Sequence, residues 1–184
     1  MALSLPAWFV RRPDGRFDVR LDPDLRTAVA IISAELAQAI QDDPTDDQLR
    51  RLHPPAYPDD PERDLEYQLL AGEELRTSQR AAIEATMAVV DRDVVDADDL
   101  WALMRTLNGV RLAAGTRLGI DDDDHRPPPR WAMRFSPQKA RDWEIYELAG
   151  LLQYAAIRAL QGDDGELDEP TPDAPPDAPT PHEG

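Results

Sequence analysis

The sequence predicts a mainly α protein: a bundle-like arrangement of four principal helices, an N-terminal β-hairpin and a disordered acidic C-terminal tail. Three observations predict it. Apolar residues recur at spacings of three and four through four long stretches. Three of those stretches open on the same signal, an N-cap residue followed by proline: Asp22-Pro23, Asp60-Pro61 and Ser136-Pro137. After Gly162 the chain becomes acid and proline with almost no apolar side chains. Residues 1–160 are therefore expected to form one helical domain, and 161–184 the tail.

The hairpin covers residues 8–21. AWFVRR is one short strand, and Phe17, Val19 and Leu21 alternate with polar neighbours in the second. Pro13-Asp14-Gly15 between them is turn chemistry. The first helix follows Asp22 and buries Leu25, Val29, Ile32, Leu36 and Ala39 or Ile40, ending at Pro44. Residues 46–52 make at most a short helical turn, and HPPAYPDDP (53–61) is a connector. The second helix runs from Pro61 to Val90 with the stripe Leu65, Leu69, Gly72, Arg76, Ile83, Met87 and Val90. Asp96 caps a third helix from Ala97 to Leu118, stopped by Gly119. The last helix reaches Leu160 with Ile145, Leu148, Leu152, Ala156 and Ala159 as its stripe. Trp143, Tyr146, Leu151, Tyr154 and Ile157 make its other faces apolar, which fits the most central helix or a homo-oligomer interface.

The net charge is −17, and the tail holds eight acidic residues and no Lys or Arg. The remainder is still acidic, with 29 acidic against 20 basic residues. Such a field repels nucleic acid and anionic membrane, so neither is an expected partner. No run of about 20 apolar residues offers a membrane span, and the N-terminus lacks a basic n-region. Cysteine is absent, which removes thiolate nucleophiles and cysteine metal sites and fits a cytoplasmic location.

No catalytic constellation is present. There is no H-E-x-x-H, G-x-S-x-G, P-loop or dinucleotide fingerprint. The DDDDH run (121–125) has carboxylates that suit a hard cation but lacks the ligand spacing and glycine of an EF-hand loop. It reads as a solvated charge run, so no metal or cofactor is expected. Trp8, Trp101, Trp131 and Trp143 read as packing anchors.

The unusual feature is arginine in helical seams. Leu100, Met104, Leu107, Arg111, Ala114 and Leu118 form one face of the third helix, with Arg111 inside it and Arg117 on its flank. On the second helix Arg76 continues Leu65, Leu69 and Gly72, with Glu73 and Arg80 one turn to either side. An unpaired buried charge costs several kcal/mol, so these guanidiniums need partners or an opening. Glu66, Glu73, Glu74, Glu144 and Glu147 are candidate carboxylates, and Asn108 and Gln153 could extend the network. Glu73, Arg76, Arg80, Asn108 and Arg111 are thus the candidate polar network or ligand site. One reading has the arginine stems covering apolar surface while the heads meet water or a structural Glu. The other has Arg76 and Arg111 holding an anion between helices with their planar forks.

AYPDDPERDLEYQLLAGEELRTSQR (56–80), LNGVRLAAGTRLGI (107–120) and DWEIYELAGLLQYAAIRAL (142–160) together resemble a family of high-GC bacteria. It is catalogued as a domain of unknown function, serial number two thousand and seventeen. The resemblance covers roughly residues 8–160. It implies an all-helical body and genes often placed near the adaptor of the Clp protease, hence a link to regulated proteolysis. With the residue-level reading, it points to a non-enzymatic regulatory or interaction protein whose partner is another protein. A small anionic-ligand module is the alternative.

Overall fold

The computed structural model describes residues 6–43, 46–120 and 136–162. The elements in chain order are β1 (Phe9–Arg11), β2 (Phe17–Val19), α1 (Pro23–Asp42), a 3₁₀ turn (Asp47–Leu49), α2 (Pro61–Val90), β3 (Val94–Val95), α3 (Ala97–Leu118) and α4 (Pro137–Gln161). Among the described residues these four long helices and one small sheet make up the fold, as the sequence predicts. The DDDDH run, Trp131 and residues 163–184 of the predicted disordered tail lie outside the described residues, and Gln161 and Gly162 of that tail instead end the last helix.

The hairpin pairs Phe9 with Val19 and Arg11 with Phe17 around Gly15, whose φ of 82° only glycine adopts readily. β3 adds a third antiparallel strand, with Phe17 opposite Val95. The sequence reading has no strand there. Two valines between the end of α2 and the cap of α3 suffice, because β2 offers an open edge beside them. Phe9, Phe17, Val19 and Val95 are buried together on one face.

Arg26 of α1 clips this sheet to the helices. Its guanidinium donates to the carbonyls of Val19, Leu21, Val90 and Arg92 and to Asp93 Oδ1, at 2.6–3.1 Å. It thereby satisfies acceptors at the C-terminal end of α2 that no helix bond can reach.

The helix ends follow their sequence signals. Asp22, Asp60, Asp96 and Ser136 each accept a backbone N–H of the first turn. Asp96 and Asp99 form a reciprocal capping box. Gly119 and Gly162 close α3 and α4 in the left-handed region.

The central helix is α3, not α4 as the sequence suggests. It packs against α1, α2, α4 and the 3₁₀ turn. Its buried series is Leu100, Leu103, Leu107, Val110 and Ala114, rotated from the face expected from Met104, Arg111 and Leu118. A helix touched from three sides buries a wide arc, so a single stripe misplaces its centre. At Gly109 an added Cβ would stand 3.0 Å from Leu36 Cδ2, which is how closely α1 approaches. Trp101 is half exposed and anchors nothing in the core, unlike Trp8 and Trp143, which pack against it.

The second departure concerns α2. Its buried residues are Gly72, Ala82, Ile83, Thr86, Val89 and Val90, so of the expected stripe Gly72, Ile83 and Val90 are buried, whereas Leu65, Leu69 and Met87 are exposed. The Thr86 hydroxyl donates to the Ala82 carbonyl and meets the Thr106 hydroxyl at 2.9 Å inside the core. Counted residue for residue from that antiparallel pair, Leu118 at the end of α3 lies opposite Glu74. Residues 61–73 of α2 therefore run past the end of their partner helix. None of residues 61–71 is buried.

Candidate functional site

The polar residues singled out in the sequence fall into two separate places. Glu73, Arg76 and Arg80 come together on α2. Glu73 accepts from Arg76 Nη2 at 3.0 Å and from Arg80 Nη2 at 3.3 Å. The Arg76 side chain folds back over Gly72, whose Cβ position lies 3.3 Å from Arg76 Nη1. The small residue in the stripe is thus covered by its own helix and not by a neighbour. This is a surface ion-pair ladder, worth little to stability on its own. Its arginines hold the Glu73 carboxyl below the usual carboxylate range, chiefly through the hydrogen bond from Arg76.

Asn108 and Arg111 sit on α3 facing α4. Arg111 donates to the Tyr146 hydroxyl at 3.0 Å, and its guanidinium carbon stands 4.7 Å from the centre of the Tyr146 ring. Gly150 opposite leaves room for it, since a Cβ there would lie 3.8 Å from Arg111 Nε. Tyr146 is itself stacked on Trp143. Beside Arg111 opens a groove of about 500 Å³ lined by Asn108, Glu147, Gln153 and the half-exposed Leu151, Tyr154 and Ile157. Gln153 reaches across the helix pair to the Met104 carbonyl at 3.2 Å.

Arg76 and Arg111 thus take different partners on different helices. Among the described residues, Glu73 is the proposed carboxylate that Arg76 takes. Arg117, expected on the flank, donates from Nε to Asp142 at 2.8 Å. Asp142 is 2% exposed and also accepts from Gln138. Sequence reasoning overlooked Asp142, yet a signal exists. It stands three residues before Ile145 and ten before Leu152, on the buried stripe of α4, where a carboxylate demands a partner.

His53, dismissed in the sequence as a connector residue, is the second omission. Burial, and then the charge of Arg76, pushes its imidazole below the usual histidine value. Its Nε2 has no hydrogen-bond partner among the described residues. Arg76 therefore acts on the connector between α1 and α2 as well as on Glu73.

The open half of α2 carries the other notable surface. Leu65, Leu69 and Leu70 are 61%, 74% and 84% exposed. On the opposite side of this half, Asp64 accepts the backbone N–H groups of Ala56 and Tyr57. Arg63 lies 4.2 Å over the Tyr57 ring, and Tyr67 meets that ring edge-on. The connector holds one side of the helix and leaves the leucine side bare.

Among the described residues no group of three or more His, Asp or Glu side chains could hold a metal ion. No helix among them is long and apolar enough to cross a membrane.

The histidine makes the geometry testable. A lowered folded pKa means that the unfolded chain takes the proton first as pH falls. Stability should be unaffected well above the ordinary value of about 6.5 and decline as pH drops below it. An NMR titration is expected to place His53 below 6.5, and Arg76→Gln to raise it only part of the way, because burial is the larger cause. An unchanged His53 in Arg76→Gln would remove Arg76 from the connector.

A family model described as a domain of unknown function (DUF2017) matches residues 6–160. No curated protein and no solved structure matches the chain. The match takes in the sheet, all four helices and both polar sites, and the chain belongs to the DUF2017 family.

Proposed function

We propose that this protein is a non-enzymatic interaction module that docks another protein on the overhanging half of α2. The observation that carries this reading is the run of bare leucines, Leu65, Leu69 and Leu70, on a helix half in which no residue before Gly72 is buried. Exposed leucines clustered on one side of a helix cost solubility and mark contact sites in soluble chains. The acidic charge keeps the chain from self-association and favours a partner of opposite sign. The gene neighbourhood that the family resemblance implies makes a component of Clp-type proteolysis the first partner to assay, with a regulatory role.

The triple variant Leu65→Gln, Leu69→Gln, Leu70→Gln tests this directly. All three side chains face solvent, so denaturant unfolding should move by no more than about 0.5 kcal/mol. Proteins co-purifying reproducibly with the wild type from the native cytosol are expected to be lost with the variant. Retention of the same set would contradict the reading.

A second reading rests on the groove beside Arg111, where a guanidinium, Asn108 and an apolar rim converge. It would hold a small carboxylate or phosphate with an apolar body. A thermal-shift series with such anions should raise Tm in the wild type and not in Arg111→Met. A flat response in the wild type would dispose of it.

A further inference from the structure

The open half of α2 also bears on what kind of partner it takes, and this inference rests on the docking reading above. At 100° per residue, Leu65, Leu69, Leu70, Glu62 and Glu66 fall within about 140° of arc on one side of the helix. Asp64 and Tyr67 lie on the other side, against the connector, and Arg63, at the edge of the arc about 20° beyond Leu70, turns its guanidinium over the Tyr57 ring. Glu62 and Glu66 are exposed and form no ion pair among the described residues. The guanidiniums nearest along the helix are engaged elsewhere: Arg76 and Arg80 with Glu73, and Arg63 over the Tyr57 ring. The bare face is therefore leucine interleaved with unneutralised carboxylate.

We infer that this face takes a basic amphipathic helix of another protein, with an apolar stripe for Leu65, Leu69 and Leu70 and Arg or Lys for Glu62 and Glu66. Two arguments select this occupant over a second copy of the chain. Isologous pairing of two such faces would gather four like carboxylates, Glu62 and Glu66 of each copy, on one small contact between molecules of net charge −17. The face is also small, about 16 Å long and about 10 Å wide. That is far below the roughly 800 Å² per partner of a stable dimer. It suits a helix that lays a few anchors on a ridge and draws speed and selectivity from charge. Such binding should weaken as salt rises, because both carboxylates sit in solvent.

The test uses the full chain and three fluorescent peptides of about 16 residues, roughly four helical turns. One is a Leu/Arg amphipathic helix, one a scramble of the same composition with no apolar stripe, and one the Leu/Glu charge reversal. The amphipathic basic peptide should bind at least about tenfold more tightly than the scramble, which controls for bulk attraction to an acidic protein. Leu65→Gln, Leu69→Gln, Leu70→Gln should erase that preference. Glu62→Gln with Glu66→Gln should weaken binding about threefold or more and flatten its salt dependence. Equal binding of the scramble, preference for the Leu/Glu peptide, or an unchanged preference in the leucine variant would each overturn the inference. So would a dimer that the leucine variant dissociates, since the occupant would then be a second copy. Binding that appears only after residues 126–135 (RPPPRWAMRF) are replaced by Gly and Ser would also overturn it, by assigning the face to the chain's own arginines and aromatics. Leucine-dependent partners from the cytosol together with failure of the basic peptide would leave the docking reading standing and remove only the chemistry inferred for its partner.

Discussion

Helix length is the constraint on which the rest of the structure depends. α2 has 30 residues and its antiparallel partner α3 has 22. The register set by Thr86 and Thr106 leaves residues 61–73 of α2, about 20 Å of helix, beyond the end of α3, because α3 in turn starts past the other end of α2. The C-terminal half of α2 is consequently core, whereas the N-terminal half has a helix's hydrogen bonds without a helix's packing. An isolated helix of that length is marginal in water. Here the Asp60 cap, Pro61 at the first position and the clamp of Tyr57 against Asp64, Arg63 and Tyr67 help hold it.

The arginines show how an acidic, arginine-rich chain distributes charge around a compact centre. α3 buries leucine and alanine on three sides; Arg105 is exposed beside α2, and the other two arginines of α3 leave along the seam with α4. There Arg117 meets a buried aspartate and Arg111 spreads over an aromatic ring. Arg26 does a different task, drawing the carbonyls of the sheet and the end of α2 onto one guanidinium. Lysine, with a single ammonium, could not span those acceptors with fixed geometry.

Much of the fold was legible because its signals are local. Caps and prolines placed the starts of α1, α2 and α4 at the positions observed, and glycine placed the end of α3. What was not legible depends on neighbours. The stripe Leu65–Leu69–Gly72–Arg76 has helical period, yet periodicity cannot tell a face that meets a partner within the chain from one that does not. The same limit put Arg111 rather than Leu103 and Val110 in the seam of α3, and it hid β3, whose two valines form a strand only because β2 lies alongside. Of the candidate site, the Glu73–Arg76–Arg80 ladder followed from spacing on one helix. The separation of Arg76 from Arg111, and the pairing of Arg117 with Asp142, depended on how α4 lies against α3.

The central claim is that one helix has two regimes, a packed half and a bare half. Native-state hydrogen exchange measures this most directly, amide by amide. In the free protein, amides of residues 65–73 should be less protected than those of residues 82–90 by on the order of a thousandfold, through local opening that leaves the core intact. Uniform protection along α2 would mean that its first half is covered in the free protein, and would contradict the account.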